Sequence, residues 1–136
     1  MKVVLASKNK HKLEEISKIT QKFDMELVLE SQLGVDIDVE ETGSTFEENS
    51  YLKAEAVMKA TGLQALADDS GIAVDALNGE PGIYSARYMG EDTSYRIKNA
   101  NLIERLNGVP DEKRTARFVC AISAALPGGK ILRSRG

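Results

Sequence analysis

Val3 to Ala6 is a short apolar run, followed at once by the polar string Ser7-Lys8-Asn9-Lys10-His11-Lys12. A run of that length suits a buried strand. Asn9 to Phe23 then carries Leu13, Ile16, Ile19 and Phe23 at helical spacing, which predicts a helix with one apolar face. Met25 to Leu29 is a second apolar run. Strand, helix and strand in that order define a βαβ unit with a parallel pair. The first thirty residues therefore set an α/β class.

The remainder extends that pattern. Glu30 to Gly43 is polar and acidic and reads as a loop with a short extended piece. Ser44-Thr45-Phe46-Glu47 fits a capping box, which predicts a helix from Thr45 to about Thr61. Ala65 to Ala67 reads as a short strand ending at Asp68-Asp69-Ser70-Gly71, with Ile72 to Val74 as another. Asn78 to Gly90, with its glycines and Pro81, reads as a functional loop. Thr93 to Leu106 is a third predicted helix, capped by Asp92. Thr115 to Leu126 is a long strand. Pro127-Gly128-Gly129 makes a turn, and Lys130 to Gly136 begins a returning strand. The returning strand lacks a further partner element, which predicts missing sequence and an exposed edge around Phe118 to Leu126. Lower stability or self-association would follow from such an edge.

The 136 residues suit one domain spanning residues 1–136, and 42% hydrophobic with 29% charged residues suits a packed core rather than disorder. The formal net charge is −3, and there is no tryptophan, so neither a basic footprint nor a stacking surface for nucleic acid is present. No stretch approaches the roughly 20 apolar residues of a membrane span. The one cysteine, Cys120, lies in an apolar run and reads as core filler. It suits a reducing compartment, so a cytoplasmic protein is expected.

Three segments bear chemistry. Ser7 to Lys12 lies where a strand gives way to a helix, a place with free backbone N–H groups and the positive end of a helix dipole. A phosphate fits there, with Ser7 and Asn9 as donors and Lys12 as a point charge. Taken alone, the segment is more simply a lysine-rich helix start capped by Asn9 or Ser7. No G-x-x-x-x-G-K-[ST] loop occurs. His11, the one histidine, reads as a solvated surface residue, and zinc lacks its ligands. The acids are the second segment. Asp36, Asp38, Glu40 and Glu41 crowd one loop, most of them read as solvated, and Asp68 and Asp69 are adjacent. Adjacent carboxylates repel unless a cation lies between them, and oxygen-only ligands favour Mg²⁺ or Mn²⁺. Glu40 with Asp69 would meet the one or two carboxylates that Mg²⁺ needs. An Asx turn explains Asp-Ser-Gly as well. Third, Asn49 and Lys53 are four apart on one helix face and could reach a phosphate together; a surface lysine is the alternative.

Together these pieces resemble the inosine/xanthosine triphosphate pyrophosphatase family. Ser7-x-Asn9-x-x-Lys12-x-x-Glu15 resembles its opening motif. Glu40-Glu41-Thr42-Gly43-x-Thr45-Phe46-x-Glu48-Asn49, followed by Lys53-Ala54, resembles the second. Ala67-Asp68-Asp69-Ser70-Gly71 with Pro81-Gly82-Ile83-Tyr84-Ser85-Ala86-Arg87-Tyr88 resembles the third, and Ala116-Arg117-Phe118 also fits. The resemblance implies an elongated mixed β-sheet flanked by helices, with two lobes and a central nucleotide cleft, in a homodimer. It implies Mg²⁺-dependent hydrolysis of ITP, dITP and XTP to monophosphate and pyrophosphate. By matching position, Ser7, Asn9, Lys12 and Lys53 would hold the triphosphate, and Ser70 would contact substrate. Glu40 and Asp69 would bind Mg²⁺. Asp69 would also orient or deprotonate water, supported by Asp68. The family's Phe-Gly-Tyr-Asp-Pro and Ser-His-Arg segments, which grip the purine, do not occur in this sequence. A weak or inactive nucleotide-binding form is the alternative that this difference implies.

Overall fold

The computed structural model describes residues 1–136. Five strands form one sheet: β1 (Lys2–Leu5), β2 (Glu26–Leu29), β3 (Gln64–Val74), β4 (Ala116–Ala125) and β5 (Ile131–Arg135), in the order β2-β1-β3-β4-β5. Helices are α1 (Lys10–Thr20), α2 (Phe46–Thr61) and α3 (Tyr95–Arg105). The sheet is mixed. β1 runs parallel to β2 and to β3, with Leu5 level with Leu29 on one side and Leu66 on the other, while β4 and β5 are antiparallel. The parallel βαβ start is therefore as the sequence predicts. By internal packing the chain divides into two units, Met1–Asp69 with Ala121–Gly136, and Ser70–Cys120.

The first unit has its core where α2 lies on the sheet. Val4, Ala6, Ala54, Val57, Ala65, Ala67 and Ala125 cluster there, each at most 8% exposed. Four of them are alanines on α2, β3 and β4, and small side chains let a helix backbone approach a sheet closely. Ser50 and Ser123, both wholly buried, satisfy each other across this layer at 2.7 Å. α2 starts at Thr45, whose Oγ1 accepts from Glu48 N at 3.1 Å, while the Glu48 carboxylate accepts from Ser44 N at 2.8 Å. Glu48, not the predicted Glu47, is thus the acid of the cap, giving its N–H to Thr45 and accepting from Ser44.

Four other expectations change. Asp68 to Gly71 is not a turn: β3 is a single strand through Gln64–Val74. Asp92 does not cap α3; Ser94 does, its side chain accepting from Ile97 N. Of the predicted α1 stripe Leu13 and Ile16 are half-buried, and Ile19 and Phe23 are exposed. For Phe23 the reason is geometric: α1 ends at Thr20 and tightens into a 3₁₀ turn over Gln21–Phe23, which rotates Phe23 off the predicted stripe. Finally, β5 covers β4 from Ala121 to Ala125, so the outer edge of the sheet there is β5. Phe118 lies outside that register and is 84% exposed. Arg135 reaches Glu47 of α2 at 2.8 Å, tying β5 to the helix.

In the second unit a strand and a turn meet at Gly71. Ser85 Oγ accepts from Ile72 N at 3.0 Å and donates to Gly82 O at 2.6 Å, holding the 3₁₀ turn Gly82–Tyr84 against the strand. A Cβ on Gly71 would lie 2.5 Å from Gly82 O and closer still to Ser85 Oγ. Both neighbours are fixed by those hydrogen bonds. Gly71→Ala is expected to destabilise the protein by about 1–3 kcal/mol through overpacking. A lowered urea midpoint with unchanged m-value is the checking measurement.

Candidate functional site

In an open α/β sheet, ligands bind beyond the carboxyl ends of parallel strands, at the point where strand order reverses. Here β1 lies between β2 and β3, all three parallel, so their carboxyl ends share one side of the sheet. β1 leads into Ser7, β2 into Glu30, and β3 carries Asp68 and Asp69. A cavity of about 300 Å³ opens there, its polar lining including Ser7, Lys8, Lys12, Glu30, Lys53 and Asp68 with Asp38 and Glu41 of the acidic loop. It lies wholly within the first unit.

The strand-to-helix turn is locked by its own side chains. Ser7 Oγ accepts from Asn9 N at 3.0 Å, and Asn9 Oδ1 accepts from His11 N at 2.9 Å. Asn9 is therefore the N-cap of α1, in extended backbone conformation. The cap sets the helix so that Lys12 points at the sheet: its Nζ lies 2.9 Å from Asp68 Oδ2. From the other side, Lys53 on α2 donates to the Asp68 carbonyl at 2.5 Å and lies 3.4 Å from Glu41 Oε1. Two ammonium groups thus converge on one nearly buried aspartate. Buried charges need such partners.

Asp69 is the unpaired member. It is 8% exposed, and its Oδ2 is buried without a hydrogen bond. Burial pushes its pKa from the usual 3.8 to about 6; Lys53 and the Asn49 amide oppose this, while Glu41 and Asp68 add to it. Asn49 is wholly buried, and its Nδ2 also has no hydrogen bond. Its Oδ1 accepts from Gly43 N at 2.8 Å, so it pins the acidic loop to α2. Gly43 has to be glycine for this contact, since a Cβ there would sit 2.7 Å from Asn49 Oδ1 and from Glu48 Cβ. An orphaned, buried carboxylate oxygen beside further oxygen ligands fits a hard divalent cation. No group of three histidine, cysteine, aspartate or glutamate side chains gathers anywhere to cage an ion. Mg²⁺ needs no such cage, because it keeps several waters and uses one or two carboxylates.

Of the residues singled out from sequence, Ser7, Lys12, Lys53 and Asp68 come together in the cavity wall, while Asp69 and Asn49 are buried and do not line it. Asn9 is exposed and occupied by capping. Glu40 is exposed and has no ion-pair partner, whereas Glu41 turns inward to Lys53. Ser70 follows Asp69 in β3, is exposed, and belongs to the second unit. His11 is exposed and Cys120 half-buried. Sequence reasoning missed Glu30, and it named Glu41 only among loop acids of which most were read as solvated. Glu30 had one usable signal, its place as the first residue after a parallel strand.

The chain matches the Ham1 family over residues 3–136. It is 52% identical to the dITP/XTP pyrophosphatase of Shigella flexneri over 121 residues, covering 89% of this chain and 61% of that protein. It is 44% identical to the dITP/XTP pyrophosphatase of Clostridium perfringens, covering 99% of this chain and 69% of that protein. The Ham1 protein of Staphylococcus aureus superposes with a TM-score of 0.90 at 45% identity, covering 100% of this chain and 69% of that one. The chain thus spans about three fifths of the length of its Shigella relative. No helix is long and apolar enough to cross a membrane.

Proposed function

This chain belongs to the Ham1 family, and from that premise we propose that it hydrolyses non-standard purine nucleoside triphosphates (dITP, ITP and XTP) to monophosphate and pyrophosphate. The names of the relatives support the substrate class. The observation that carries the chemistry is the convergence of Lys12 and Lys53 on Asp68, beside an Asp69 whose Oδ2 is buried and unpartnered.

Lys12 and Lys53 exchange their carboxylate partners for phosphate oxygens when the triphosphate enters. Ser7 adds a hydroxyl donor, the Asn9 cap keeps the α1 N-terminus aimed at the anion, and Ser70 contacts substrate. Water adds to the α-phosphorus as the bridge to the β-phosphate breaks, and Asp69 orients that water and takes its proton. Asp68 supports it by placing both lysines before the triphosphate enters, Lys12 through its carboxylate and Lys53 through its carbonyl. Mg²⁺ is the assigned cofactor, with Asp69 and Glu40 as its carboxylates. Glu40 is the exposed acid of the loop with no ion-pair partner, so it can turn to an ion while Glu41 lies against Lys53. When bound, the ion would neutralise phosphate charge and acidify water. The same reading makes the protein a cytoplasmic homodimer.

The test is pyrophosphate release from dITP and XTP against dGTP, with Mg²⁺ and with EDTA. Mg²⁺-dependent release that favours dITP and XTP is expected. Saturable triphosphate binding without release would instead identify a binding protein. Glu40→Gln is expected to raise the Mg²⁺ concentration for half-maximal rate about tenfold, with Glu41→Gln acting through Lys53 on nucleotide KM.

A further inference from the structure

Glu30 is a second buried carboxylate in the same cavity, and the chemistry above does not use it. It is 4% exposed, it lines the cavity, and its Oε2 has no hydrogen bond. Its position follows from the fold. β2 ends at Leu29, level with Leu5, so Glu30 stands beside Ala6 at the carboxyl end of a parallel pair. The chain then turns into the 3₁₀ segment Glu30–Leu33, which carries the side chain inward. Burial pushes its pKa up, and Asp36 adds to this, while Lys8 and the Ile37 backbone oppose it. The Lys8 ammonium itself lies 2.8 Å from Asp36 in solvent, leaving Glu30 without a bonded cation. An unpaired acceptor at that depth is costly unless a ligand group satisfies it.

We propose that Glu30 receives the 3′-hydroxyl of the substrate sugar and thereby fixes which way the nucleotide leaves the phosphate site. This rests on the triphosphatase reading above. A phosphate chain occupies the lysine end of the cavity, and its oxygens would be repelled by Glu30. The ion that serves the phosphates has its own carboxylates at Asp69 and the acidic loop. What Glu30 Oε2 lacks is a hydrogen-bond donor, and ionised phosphates have none to give. The next group along the ligand is the sugar, which does. The 3′-hydroxyl is the one common to dITP and XTP.

The experiment is calorimetric binding of dITP, of 2′,3′-dideoxyinosine triphosphate and of inorganic tripolyphosphate. It is run on the parent protein, Glu30→Gln and Glu30→Leu, in buffer with Ca²⁺ to hold the phosphates. The parent is expected to bind dITP about tenfold more tightly than the dideoxy compound, the span of one hydrogen bond to a charged or strongly polar group. Glu30→Leu is expected to bind the two equally. Glu30→Gln keeps an acceptor and is expected to keep most of the preference. Tripolyphosphate binds all three proteins alike. A preference that survives Glu30→Leu overturns the proposal while leaving the triphosphatase reading intact. So does equal weakening of tripolyphosphate, which marks a purely structural carboxylate. Should Glu30→Leu not fold, the parent protein decides: equal affinity for dITP and the dideoxy compound overturns it. A folded parent that binds none of the three overturns both readings.

Discussion

Asp69→Asn is expected to lower kcat by about a thousandfold while making the protein more stable. A positioned general base contributes roughly 10²–10⁴ in rate, and in the proposed mechanism the same change would remove a metal-binding carboxylate. Fold damage is not the cause. Asn matches Asp in size, and the position is nearly buried with one oxygen unpartnered. The stability gain follows from the direction of the pKa shift. In the folded protein Asp69 titrates near 6 rather than 3.8, so between those values the folded state holds more proton than the unfolded one. Stability contributed by this group is complete below pH 3.8 and is lost as pH rises through 6. Asn is neutral at every pH. In EDTA, Asp69→Asn should therefore match the parent near pH 4 and exceed it near pH 7 by on the order of 3 kcal/mol. Denaturant midpoints at the two pH values, with pyrophosphate release, check both halves. A variant that is inactive and also less stable at pH 7 would make Asp69 a structural residue.

A buried acid held above its ordinary pKa is a local conflict that the fold tolerates for chemistry. That conflict also explains which features could be read in advance. The βαβ start, α2 and its Thr45 start, and the long β4 were legible because apolar spacing and cap chemistry are local properties of the chain. The acid of that cap was misread by one residue, Glu47 for Glu48, because both are acids at capping distance and only geometry selects Glu48. Asp68 to Gly71 read as a turn, since Asp, Ser and Gly all favour turns. Tertiary packing overrides that preference: Gly71 is needed for the approach of Ser85, and Asp68 for two lysines. Lys12, Lys53 and Asp68 could be singled out by type but not by partner. Which acid of Glu40-Glu41 turns inward was also beyond the sequence, because adjacent residues in a loop have no periodicity to separate them.

Lys53→Met is the second large effect, and it tests whether the lysine acts on phosphate, on Asp69, or on both. Met keeps the length of the stem and removes the charge. Losing a cation that faces developing phosphate charge is expected to cost about a hundredfold in kcat/KM. The change also strips the Asp68 carbonyl of its 2.5 Å donor and Glu41 of its cation. Lys53 is the strongest influence opposing the upward shift of Asp69. Without it the Asp69 pKa moves further up, so the pH range over which stability declines extends to higher pH. Lys53→Met should thus be most destabilised near neutrality and recover on acidification. Adding Asp69→Asn removes the carboxylate that Lys53 was restraining, so the double variant should be more stable at pH 7 than Lys53→Met alone. It should also lose the added pH dependence. The two single changes are therefore non-additive in stability. Additive changes with parallel pH profiles would mean that Lys53 and Asp69 are not coupled, and that the lysine serves the phosphate alone.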